Sequence, residues 1–88
     1  MKIKDGFVLE QVGDSYLAVA VGDRADSFSG LVRMNGTGAF LWNLMVEADI
    51  TREELLDKLL ATYDVDREIA LADIISFETK LRNGGILE

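Results

Sequence analysis

The chain has 88 residues, 49% of them apolar, with nine basic against sixteen acidic side chains for a formal net charge of −7, and it contains no cysteine, histidine or proline. Such a length is read as one domain, 1–88, with one modest core, and the composition excludes disulfide staples, the usual zinc ligands and catalysis by Ser-His-Asp or Cys-His arrangements. Excess acid repels a phosphate backbone, no run approaches the ~18 apolar residues of a membrane span, and the start Met1-Lys-Ile-Lys4-Asp5 lacks the apolar segment of a secretory signal, so the expected location is cytoplasmic.

In chain order, Phe7 to Val12 and Tyr16 to Val21 are short runs rich in β-branched and aromatic residues, separated by the turn-forming Gly13-Asp14-Ser15, and predict a hairpin. In the second run Leu17, Val19 and Val21 carry the bulk on one face, which assigns them to the core and Tyr16, Ala18 and Ala20 to the other side. The polar stretch Gly22 to Ser27 reads as a loop. Phe28 to Met34 follows as a third strand, weakened in its middle by Gly30.

Asn35-Gly36 between apolar runs is by itself a hairpin signal. The residues beyond it decide for a helix, because Phe40, Leu41, Leu44 and Met45 gather on one side of a 3.6-residue period. Asn35 is the expected N-cap, with Thr37 the weaker candidate. A second helix opens with a capping box, Thr51 and Glu54, and a hydrophobic staple, Ile50 and Leu55, and continues through Leu56, Leu59 and Leu60 to Tyr63. After Asp64-Val65, Asp66 is the expected N-cap of a third helix with the core stripe Ala70, Ile74, Phe77 and Leu81. Gly84-Gly85 ends it by positive φ, and Ile86 and Leu87 are expected to return to the core.

Strands first and helices after them indicate an α+β fold: a three-stranded antiparallel meander followed by three helices, the last two in a helix-turn-helix. Weak motifs fall to specific mismatches. Gly36-Thr-Gly38 lacks the third glycine of a dinucleotide loop, position 41 being Leu. Asp64, Asp66 and Glu68 open like a calcium loop, but positions 69 and 75, where that loop needs glycine and glutamate, are both Ile. Asn35-Gly-Thr37 matches a glycosylation pattern without a secretory route. Between Asp66 and Arg82 the third helix carries four acids against three bases, a poor balance for a DNA recognition helix.

Taken together, Met34-Asn35-Gly-Thr-Gly-Ala-Phe-Leu-Trp42, Thr51-x-x-Glu-Leu55, Tyr63-Asp-Val-Asp66, Phe77-x-x-x-Leu81 and Gly85-Ile-Leu87 stand in an order that resembles the PqqD family, the small protein D of pyrroloquinoline quinone biosynthesis, and the related peptide-recognition elements. The resemblance covers roughly Phe7 to Leu87. It implies a winged-helix-like domain without enzymatic activity or cofactor, which binds the leader of a ribosomally made precursor peptide and presents it to a modifying enzyme, often a radical SAM protein. In that family the leader adds as a strand beside the third strand and lies against the third helix. Mapped here, the ladder is Ser29, Gly30, Leu31, Val32 and Arg33, and the groove side chains are Leu71, Ile75, Glu78 and Arg82. An edge strand without proline suits such a guest. The rival readings are a winged-helix DNA-binding regulator and a module that dimerises through the same edge strand.

Overall fold

The computed structural model describes residues 1–27 and 32–88. Strands β1 (Phe7–Val12) and β2 (Ser15–Ala20) form the expected hairpin, and β3 (Val32–Met34) pairs antiparallel with β2, so that the sheet order is β1-β2-β3. Gly13 at the hairpin turn has φ +62, a left-handed conformation that glycine adopts without strain. The first part of the expected third strand, 28–31, lies outside the described residues. A one-turn helix, α1 (Arg24–Ser27), occupies the stretch expected to be loop. Arg24 Nε donates to the Asp5 carbonyl at 3.1 Å and its guanidinium lies 5.7 Å from the centre of the Phe7 ring, so this turn is held to the foot of the sheet.

The face of β2 that packs inward is the reverse of the expected one. Ala18 is fully buried and Tyr16 packs on the core, whereas Val21 is 41% exposed and Leu17 and Val19 lie half-buried on the other side. The reason is that the helices bring the volume. Phe7, in register with Ala20, meets Trp42 edge-on at 6.4 Å, and small residues at 18 and 20 leave room for such rings under close packing.

Three helices follow. α2 (Gly36–Glu47) starts at Asn35, whose side chain accepts from the Gly38 N–H at 2.9 Å, as the sequence predicts. α3 (Arg52–Thr62) has the full capping box of Thr51 and Glu54. α4 (Arg67–Asn83) begins at Asp66, which holds the cap position without a side-chain hydrogen bond. Its end is closed by Gly85 at φ +73 while Gly84 stays right-handed, so one glycine rather than two supplies the left-handed turn. Ile86 and Leu87 then return to the core, with an Ile3–Leu87 bridge and Lys4 N–H donating to the Ile86 carbonyl at 2.9 Å. The expected stripe of Ala70, Ile74, Phe77 and Leu81 is buried against Leu41, Trp42, Met45, Leu55 and Leu59. The whole is an α+β, winged-helix-like arrangement. No helix of the described residues is long and apolar enough to cross a membrane.

Candidate functional site

The sheet order leaves β3 with a strand neighbour on one side only among the described residues. A groove of about 450 Å³ runs between β3 and α4, with Ser15 at the start of β2 also on its edge. Its floor is apolar: Met34 from β3, Leu41 from α2 and Phe77 from α4. Its rim is polar, with Asn35 and Thr37 at the start of α2, and Asp73, Ser76 and Lys80 along α4. The Lys80 ammonium donates to the Arg33 carbonyl, tying the rim of α4 to β3. Gly38 brings α2 close beneath. A Cβ there would stand 2.8 Å from Met34 Cβ and 3.4 Å from Phe77 Cε1, nearer to the β-strand side chain than real Cβ contacts come, so glycine is what allows the floor to close.

The residues expected at the site are divided by the structure. Ser29, Gly30 and Leu31 lie outside the described residues. Val32 is turned into the core at 7% exposure and Arg33 is exposed, its backbone on the groove. Leu71, Ile75, Glu78 and Arg82 do not line this groove. Leu71 packs partly buried on the core, Ile75 is 41% exposed, and Glu78 is buried at 5% with both carboxylate oxygens engaged. Arg52 donates from Nε to Oε2 at 3.0 Å and from Nη2 to Oε1 at 3.2 Å, and Arg82 Nη2 donates to Oε1 at 3.1 Å. Glu78 thus joins α4 to the first turn of α3 as the acceptor of a bidentate guanidinium, and the flank of α4 bearing it faces away from β3.

Asp73, Ser76 and Lys80 form the other flank of the core stripe, and periodicity alone names the stripe but not which flank turns to the strand. The available signal was weaker: a serine and two opposite charges beside Phe77 at helical spacing. The same contacts bear on the helix-turn-helix. Of the three basic side chains of α4, Arg82 is paired to the Glu78 carboxylate, and the helix carries four acids against three bases from Asp66 to Arg82, a poor source of positive field for a DNA backbone.

A family model described as coenzyme PQQ synthesis protein D (PqqD) matches residues 17–87. No curated protein sequence matches the chain. Among solved structures, the fold is similar to TbiB1 in complex with the TbiA(beta) leader peptide, at 27% identity and a TM-score of 0.73, over 100% of this chain and 95% of that one.

Proposed function

The chain belongs to the PqqD family, and on that premise we propose that it is a non-catalytic module which binds the leader segment of a ribosomally made precursor peptide by strand addition to β3 and presents it to a modifying enzyme, of the radical SAM class. The observation that carries this reading is the groove itself: a strand margin that, among the described residues, has no strand partner beyond β2, beside an apolar floor and a polar helix rim, in a fold similar along its whole length to a chain solved with a leader peptide. An extended guest would take main-chain hydrogen bonds from the margin at Val32 to Met34 and place alternate side chains over Met34, Leu41 and Phe77, the usual division of affinity and specificity in β-augmentation.

Titration of isotope-labelled protein with leader peptides from precursor genes beside its own tests the proposal. Chemical-shift changes are expected at residues 32–38 and, along α4, at Asp73, Ser76, Phe77 and Lys80, with Arg52, Glu78 and Arg82 unmoved. Ser76→Arg, at an exposed rim position, should leave the fold intact and weaken binding by roughly tenfold or more, because overfilling a docking groove costs about 1.4 kcal/mol upward. Binding of no leader, or shifts confined to another face, would refute the reading. A second copy pairing at the same margin would show as a concentration-dependent mass in light scattering that leader peptide reverses.

A further inference from the structure

Among the described residues one hydrogen bond crosses the groove, from the Lys80 ammonium to the Arg33 carbonyl. A strand carbonyl is an obligatory acceptor whose usual partner is the N–H of a neighbouring strand. Here α4 supplies an ammonium instead. A guest strand would bring its own N–H groups to this margin and compete for that acceptor, while Lys80 keeps its charge beside the apolar floor of Met34 and Phe77. Lys80 is exposed, so water can replace the lost acceptor, but a carboxylate on the guest is the strongest partner a peptide can offer it at that margin.

We infer that the segment recognised by this groove carries an acidic side chain that takes Lys80 as its partner when the guest backbone takes the Arg33 carbonyl. Lys80 is the residue that selects for it. The inference rests on the reading of the groove as a peptide site and goes further by naming the chemistry of one guest side chain and its place. That place is set by Asp73, which lines the same groove two helical turns back along α4, roughly 10 Å from Lys80 at the rise of an α-helix. An acid near Asp73 meets like charge, so the carboxylate belongs at the Lys80 end alone. The molecule as a whole carries −7 and repels acidic peptides at long range, which leaves discrimination to the cations lining the groove, Lys80 on α4 and the exposed Arg33 on β3, and makes it sensitive to salt; substitution at Lys80 separates the two.

Fluorescence anisotropy on the whole chain decides the matter, using synthetic leader segments of the neighbouring precursor genes, each as encoded and with every Asp or Glu changed singly to Asn or Gln. One amide change is expected to weaken binding roughly fivefold, the scale of a partly exposed charge pair, and changes elsewhere in the segment to have little effect. Lys80→Gln should show the same loss with the encoded peptide and no further loss with the amide peptide, Lys80→Arg should restore the difference, and raising salt from about 50 to about 500 mM should narrow it in the unsubstituted protein and in Lys80→Arg. Binding indifferent to every amide change, or Lys80→Gln still sensitive to one, overturns the inference and leaves the peptide reading standing. Failure of every encoded leader to bind removes both.

Discussion

Glu78 is a residue whose type misleads when read without its surroundings. On a helix surface it suggests a polar contact for a ligand, yet its side chain is only 7% exposed and its carboxylate is shared between Arg52 and Arg82. Both guanidiniums stay about half in water, so the pair lies between the cheap surface ion pair and the costly buried one. Glu78→Gln is expected to lower stability by about 1–2 kcal/mol through the lost charge-assisted bonds, read as a lower urea midpoint at unchanged slope, with peptide affinity unaltered because the flank faces away from the groove. Asp49 is a different case at the same scale. Its exposed carboxylate accepts from the Met1 ammonium at 2.7 Å, and that bond, then the charge behind it, holds its pKa below the usual carboxylate value. A depressed folded-state pKa stabilises above the unfolded value and ceases to do so as pH falls through the folded one.

Among the elements, α2 links the site to the core, since its first turn forms one wall of the groove and its body carries Leu41, Trp42 and Met45 into the core. Two of its early positions are glycine and none of its first-turn residues is acidic, so the Asn35 cap is the main local device that starts it at the right residue. Asn35→Ala should destabilise the fold by about 1 kcal/mol. Because the same residue joins β3 to α2, its loss should also broaden the amide signals of residues 32–38, which an NMR spectrum of the free protein detects. β2 teaches the complementary point. Its alternation was legible, but the choice of inward face followed residue size, and the inward face holds the small residues because Trp42 and Phe7 already fill the layer.

At the scale of the molecule, the N-terminal segment and the last residues close over the helices. Ile3 bridges Leu87, the Ile3 N–H donates to the Met45 carbonyl at 3.1 Å, and Ile86 is fully buried. This closure holds α4 in place behind β3, and the groove depends on that spacing. Ile86→Ala should cost about 2–4 kcal/mol, the transfer and cavity terms together. Thermal unfolding measures it, and a small effect would mean that the closing segment contributes little to the core.

The order of the β1-β2 hairpin and the three long helices, the caps at Asn35 and Thr51, the core stripe of α4 and the family resemblance were all readable from the chain, because periodicity and capping are local and recur every few residues; the one turn of α1, read as loop, is too short to carry a period. The inward face of β2, the flank of α4 turned to β3, the burial of Glu78 between two arginines and the cross-groove bond from Lys80 were not. Each depends on the angle and distance at which two elements separated by many residues meet, and side-chain volume across a packed interface sets that geometry, which no pattern within a single element encodes.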